Sequence, residues 1–393
     1  MAVNPSKSNG SLGLRSRDAL RPMRYELPTT ILYGGGVLDQ LPQLLSDMGA
    51  VNPMVITDRG LAATPIPARI SAILRSAGVE HGLFQDVEAD PSIELVDSLA
   101  AVLRERKHDG VIGLGGGSAM DAAKASAAAA TANIPVSQLV GVDRVREYPL
   151  PIIAIPTTAG PGSEVTRFAV LSDKSTGTKV SITSMKIMPK FALLEPDLTV
   201  GLPAKITAAT GLDALSHAIE SYGSVWNNPI SEGMAIHAIS LIGQHLRPAT
   251  LEPSNIIARA GMLAASCIAE LAANATRLGL AHALAVPLGA THGIPHGVAV
   301  GIMLPPMCVF NEVVEPLRYQ RIASALNPGS LHLVEALRSL YSEIGMKSRL
   351  RDFKVEHDSF DRVIDLAMGS DNVQANPRVA GREELRSLLE AAY

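Results

Sequence analysis

The chain has 393 residues, 47% hydrophobic and 18% charged, which excludes wholesale disorder and sets a soft expectation of two domains. Its 34 Lys and Arg against 38 Asp and Glu leave a net charge of −4, the wrong sign for a partner built on a phosphate backbone. Six Phe, seven Tyr, one Trp and two Cys support neither a base-stacking platform nor a disulfide framework.

In chain order, residues 1–24 carry Arg15, Arg17, Arg21 and Arg24 without the apolar core of a secretory signal, so a flexible tail is expected. Residues 30–33, 54–57, 82–84, 111–114 and 152–155 read as short apolar strands. Residues 37–48, 67–76, 93–107 and 119–132 carry apolar side chains at helical spacing, with Asp90 and Ser92 as candidate caps ahead of the third. Near-continuous apolar strands alternating with helices predict a parallel sheet covered on both faces. Residues 168–171 and 179–182 read as a β excursion.

After about Leu202 strand signals fade, and residues 204–222, 230–245, 256–284, 331–344 and 382–392 read as helices. Pro287 is expected to end the helix carrying His282. The most apolar run, residues 298–310, contains Pro305 and Pro306 and is too short to span a bilayer. The expected fold is α/β plus all-α: an N-terminal parallel-sheet domain over residues 25–200, then a C-terminal helical domain over residues 201–393. Cys267 and Cys308 lie in apolar runs, as buried thiols of a reducing, cytoplasmic compartment do.

Three loops follow predicted strands. Gly115-Gly116-Gly117-Ser118 opens a helix, where backbone N–H groups and the helix dipole can hold a phosphate. The spacing is not G-x-G-x-x-G, and a tight turn without ligand has the same look. Asp58 ends a strand where a ribose diol would be held, and its charge would repel a 2′-phosphate; a plain turn acid also fits. Pro156-Thr157-Thr158 begins a loop of small hydroxyl residues that also reads as a solvated turn.

Asp213 and His217 are four apart on one helix face, and His282, His292 and His296 follow later. A carboxylate with three imidazoles suits a first-row divalent ion, Fe2+ or Zn2+. Taken singly, these residues also fit a surface pair and hydrogen-bonded core histidines.

With these residues in view, the sequence resembles the iron-containing (group III) alcohol dehydrogenase family from about Tyr25 onward. Four segments carry the resemblance: Gly115-Gly116-Gly117-Ser118 with Asp121 and Lys124; Pro156-Thr157-Thr158-Ala159-Gly160 with Gly162-Ser163-Glu164-Val165-Thr166; the run from Gly211 to Glu220 containing Asp213 and His217; and His282 with Pro287-Leu288-Gly289 and Pro295-His296-Gly297. The resemblance implies a dehydroquinate synthase-like architecture, with a dinucleotide-binding domain, a helical metal-binding domain and an active site in the cleft between. It implies metal ligands at Asp213, His217, His282 and His296. Its NAD residues fall on Asp58, Gly115, Gly116, Gly117, Ser118, Asp121, Thr157 and Thr158, with Lys179 toward the nicotinamide. It further implies a small alcohol or aldehyde substrate, no nucleic-acid or membrane partner, and a homodimer or larger assembly.

The sequence departs from the family pattern at Val286, where many members carry a proton-relay histidine. The expectation is that His292 takes over part of that path or caps a polar substrate group; a loop histidine, with water alone relaying the proton, also fits. Pro161 replaces a usual threonine, and Glu195-Pro196 a usual Asp-Pro. The other readings are a maleylacetate reductase-like enzyme, a lyase of dehydroquinate synthase type and an inactive nucleotide sensor. Asp213 speaks against the first, the apolar loops around His282 and His296 against the second, and the intact set of four ligands against the third.

Overall fold

The computed structural model describes residues 15, 22–346 and 348–393. Apart from Arg15 and residues 22–24, the expected N-terminal tail lies outside the described residues. The chain divides into two units. One comprises Glu26–Leu202 with Ser254–Cys267; the other comprises Pro203–Pro253 and Ile268–Tyr393 with the described residues before Glu26.

The first unit is built on strands β1 (Thr30–Tyr33), β2 (Pro53–Asp58), β3 (Gly82–Val87), β4 (Gly110–Gly115), β5 (Gly141–Val142), β6 (Ile152–Pro156), β7 (Phe168–Asp173), β8 (Thr178–Thr183) and β9 (Phe191–Leu194). Six of them form a parallel sheet in the order β1-β9-β6-β4-β2-β3, and β5-β8-β7 form a smaller sheet with an antiparallel β7–β8 pair. Helices α1 (Leu41–Asp47), α2 (Arg59–Ala62), α3 (Ile66–Ser76), α4 (Ile93–Glu105) and α5 (Gly117–Ala132) connect them.

Successive side chains of a strand point to opposite faces, and both faces of the large sheet are buried. Val55, Ile112, Ile153 and Leu193 pack with Leu41, Leu45, Ile70 and Leu74 on one side. Met54, Ile56, Val111 and Ile152 pack with Leu99, Leu103 and the alanines of α5 on the other. Each large aliphatic so buried contributes about 1.5–3 kcal/mol. The alanines let α5 lie close: a Cβ at Gly113 would stand 3.1 Å from Ala123 Cβ and 3.2 Å from Met120 Cα. The parallel α/β layer and the β7–β8 excursion are as expected. The sequence reading misses β9, a fully buried strand of four residues between β1 and β6.

The second unit is helical. Helices α6 (Ala204–Gly223), α7 (Pro229–Leu251), α8 (Ile256–Thr276), α9 (Leu280–His292), α10 (His296–Glu312), α11 (Pro316–Leu326), α12 (Leu333–Glu343), α13 (Phe360–Met368), α14 (Asp371–Ala375) and α15 (Arg382–Ala392) follow in order, with α8 beginning in the first unit. Two expectations are corrected. The single helix expected over residues 256–284 is two, broken where Arg277 adopts a φ of +59° and Gly279 precedes α9. Pro287 does not end its helix, and α10 runs through Pro305 and Pro306. An interior proline costs about 3 kcal/mol, and burial of Leu280, Leu284, Leu288, Met303, Leu304 and Met307 outweighs it. Among the described residues α8 is long and apolar enough to cross a membrane, which the sequence reading passes over; most of it is buried within the protein.

Candidate functional site

In the first unit, β2, β4 and β6 are neighbours, so Asp58, Gly115 and the residues after Pro156 share one sheet edge. Asp58 Oδ1 accepts from Leu61 N at 2.9 Å and caps α2. Its other oxygen faces Gly115: a Cβ at Gly115 would stand 2.9 Å from Asp58 Oδ2, and the φ there is +147°. No other residue fits that position. Cβ atoms at Gly116 and Gly117 would meet Thr158 Oγ1 and Pro161, each at 3.4 Å. Thr157 is buried, and its N donates to Gly115 O at 3.0 Å. Thr158 Oγ1 is buried and makes no hydrogen bond. Buried hydroxyls are normally satisfied. An unsatisfied one beside a bare glycine backbone and a helix N-terminus fits the pyrophosphate of a dinucleotide, with Asp58 placed for its ribose.

The remaining expected cofactor residues are tied into the chain. Ser118 Oγ accepts from Asp90 N at 3.3 Å, and Lys179 Nζ reaches Asp90 Oδ1 at 2.7 Å. Asp121 Oδ1 accepts from Ser163 Oγ at 2.6 Å and from Lys124 Nζ at 3.4 Å, and its Oδ2 accepts from Val170 N at 2.9 Å. Lys124 is fully buried and also donates to Ser163 Oγ, Thr166 Oγ1 and Phe168 O. This network fastens the loop after β6 to α5. Beside it, burial pushes the Glu164 carboxyl up to about 7, against the pull of Lys124.

The second unit brings together the four expected metal ligands. Asp213 and His217 sit one turn apart on α6, His282 lies in the first turn of α9, and His296 begins α10. Gly297 permits the close approach of α10 to α6, since a Cβ there would stand 2.5 Å from Ala209 O. Around Asp213 Oδ1 stand His282 Nε2 at 3.5 Å, His296 Nε2 at 3.6 Å and His217 Nε2 at 4.0 Å. Ligand atoms of Asp213, His217 and His282 all lie within 4.8 Å of one another, and the three residues are buried. The His217 and His282 rings stack, with centroids 4.7 Å apart. Asp213 Oδ1 and His282 Nε2 are buried without hydrogen bonds. Such spacing is too wide for hydrogen bonding and right for ligands arranged around a cation.

The electrostatics follow from burial and crowding. Burial alone would raise Asp213, but His217, His296 and His282 hold it well below the usual carboxylate range. Burial pushes His217 down to about 4. It acts the same way on His282, where Glu220 and Asp213 outweigh it and raise the imidazole.

Sequence reasoning missed the two glutamates behind the histidines. Glu220 touches His282 Nδ1, and Glu270 Oε2 lies 3.4 Å from His217 Nδ1. The spacing could have revealed Glu220, three residues after His217 and seven after Asp213 on one helix face. His292 ends α9, with Nδ1 2.7 Å from Thr291 Oγ1 and Nε2 3.0 Å from Ser359 Oγ. Burial lowers its pKa.

The chain is similar to known proteins over nearly its whole length. Residues 28–196 match the family model for iron-containing alcohol dehydrogenase, and residues 207–393 match the C-terminal model of the Fe-containing alcohol dehydrogenase family. The 1,3-propanediol dehydrogenase of Klebsiella pneumoniae is 33% identical over 384 residues, covering 95% of this chain and 99% of that protein. The NAD-dependent methanol dehydrogenase of Bacillus methanolicus is 30% identical, covering 94% of this chain and 99% of that one. The crystal structure of sulfoacetaldehyde reductase from Bifidobacterium kashiwanohense in complex with NAD+ superposes with a TM-score of 0.88 at 32% identity, covering 95% of this chain and 99% of that one. The chain belongs to the iron-containing alcohol dehydrogenase family.

Proposed function

We propose that this chain transfers a hydride between NAD(H) and a small primary alcohol or aldehyde, with Fe2+ as the resident ion and Zn2+ as the other first-row ion the ligands fit. It is an NAD-dependent alcohol dehydrogenase that also reduces aldehydes. The observation that carries the reading is the convergence of three imidazole Nε2 atoms on Asp213 Oδ1. When bound, the ion supplies Lewis acidity toward the substrate oxygen.

The chain's own residues do the rest. Asp213, His217, His282 and His296 hold the ion. Gly115, Gly116, Gly117, Ser118 and Thr158 receive the pyrophosphate, and Asp58 takes the adenosine ribose diol and disfavours a 2′-phosphate. Asp121 and Lys179 act from behind, holding the loops that Thr157 and Ser118 occupy. Bound NAD+ would supply the hydride acceptor for alcohol oxidation, while the alcohol oxygen would give up its proton. His292, neutral and held between two hydroxyls, passes that proton toward solvent. Val286, one helical turn after His282 and 38% exposed, presents an apolar surface that suits a short carbon chain.

We further propose a homodimer or larger assembly in the cytoplasm. The location is supported by the two buried free thiols, Cys267 and Cys308, and the assembly is testable by sedimentation. The deciding experiment is metal analysis of anaerobically purified protein with an NAD-linked screen of small alcohols and aldehydes. One equivalent of Fe2+ or Zn2+ with NADH formation is expected; full activity in ion-free protein overturns the reading.

A further inference from the structure

Glu220 is fully buried, with 0% of its side chain exposed, and its carboxylate meets donors on both oxygens. Oε1 accepts from Ala281 N at 2.8 Å and from His282 N at 3.3 Å, two of the N–H groups at the start of α9 that lack helical partners. Oε2 meets His282 Nδ1 and accepts from Ser216 Oγ at 3.2 Å. A carboxylate has about four acceptor sites, and here three of the four contacts come from N–H or O–H donors, with His282 Nδ1 the fourth. The fit needs Gly279, where a Cβ would stand 2.9 Å from Glu220 Oε1 and 3.2 Å from Asn376 Oδ1.

The consequence concerns the far side of the ring. A neutral imidazole carries one N–H. An acceptor-only partner at Nδ1 places that hydrogen on Nδ1 and leaves the Nε2 lone pair on the Asp213 side, where it would be available to hold an ion. From this geometry we infer that Glu220 is the positioning residue of the metal centre: one side chain caps α9, fixes the tautomer of His282 and ties that helix to α6, which carries Asp213 and His217. The inference rests on the metal reading above.

Glu220→Gln separates this role from simple capping. An amide has one acceptor oxygen and one donor NH2. Turned either way, it sets a donor against donors: against the α9 backbone, or against Nδ1, where it drives the hydrogen to Nε2 and blocks ligation. A role confined to capping would lower thermal stability and leave the ion's environment alone.

The test uses Co2+ added to the ion-free full-length protein, with affinity from chelator competition and geometry from the visible d–d bands. Wild type is expected to take up Co2+. E220Q is expected to bind it roughly 10- to 100-fold more weakly, the usual cost of losing a group that orients a ligand, with altered bands. A folded E220Q with wild-type affinity and bands overturns the inference. Failure of wild type to take up Co2+ overturns the metal reading itself and is thereby distinguishable. Nuclear magnetic resonance of the Zn2+-loaded wild type, labelled with 15N in its histidines, tests the tautomer without any variant. Nδ1–H on His282 is expected, and Nε2–H or ligation through Nδ1 overturns the inference.

Discussion

Asp213 Oδ1 and His282 Nε2 face each other at 3.5 Å, both buried and neither hydrogen-bonded. A buried polar atom left unsatisfied costs about 1–3 kcal/mol, and a cation held by both atoms would remove that cost. Stripping the ion with a chelator is therefore expected to abolish NADH formation and lower the thermal midpoint. Re-addition of Fe2+ or Zn2+ should restore both. Asp213→Ala is expected to lower kcat/KM on the order of 10³-fold, the several kcal/mol that Lewis-acid stabilisation supplies. Metal content measured alongside the rate checks the cause; an inactive variant with full metal occupancy would contradict it.

Asp58 combines a structural role with a proposed recognition role, and a single substitution can separate the two. Oδ1 caps α2 through Leu61 N, while Oδ2 lies beside Gly115. Asp58→Asn retains an acceptor for the cap, and Asn caps as well as Asp, so the thermal midpoint should stay near wild type. The preference for NAD+ over NADP+, read as a ratio of kcat/KM values, should fall by about tenfold because the charge facing a 2′-phosphate is gone. An unchanged ratio would remove Asp58 from cofactor selection.

His292 lies between Thr291 Oγ1 and Ser359 Oγ, and burial depresses its pKa. It is therefore uncharged at neutral pH and can take a proton on one nitrogen while releasing one from the other. His292→Ala should lower kcat by about tenfold, less than a direct general acid or base supplies, and should change the pH–rate profile with metal content unchanged. An identical profile would show that water alone carries the proton.

The large sheet was legible because β2, β4 and β6 are continuous apolar runs punctuated by Asp58, Gly115 and Pro156-Thr157, and that punctuation is also the proposed cofactor edge. The proposed metal ligands were legible as a set only through their motifs, because Asp213 and His282 lie on different helices and no local spacing links them. Pattern could not show what the packing decides. Pro287, Pro305 and Pro306 are breakers by local rule, and buried neighbours override them. Lys124 and Glu220 are charged residues whose burial is possible only because partners on distant segments satisfy them: Ser163, Thr166 and Phe168 for Lys124, and the start of α9 for Glu220. The segment Ser254–Cys267 belongs to the first unit, which nothing in its apolar helical pattern announces.

Glu164 allows a prediction about pH because its carboxyl is fully buried and raised to about 7, chiefly by burial. In the unfolded chain an ordinary glutamate titrates near 4.3. The folded state thus holds the proton more tightly. This contribution to stability is complete below the unfolded value and is lost as pH rises through about 7. At about 1.4 kcal/mol per pH unit, the loss across that window is on the order of 4 kcal/mol. Glu164→Gln replaces the acid by a neutral amide of the same shape and removes the pH-dependent part. At pH 5 the variant should resemble wild type, and at pH 8 it should be the more stable of the two, as urea denaturation of the chelated proteins would read. Equal differences at both pH values would mean that Glu164 stays charged in the fold and that Lys124 offsets its burial throughout.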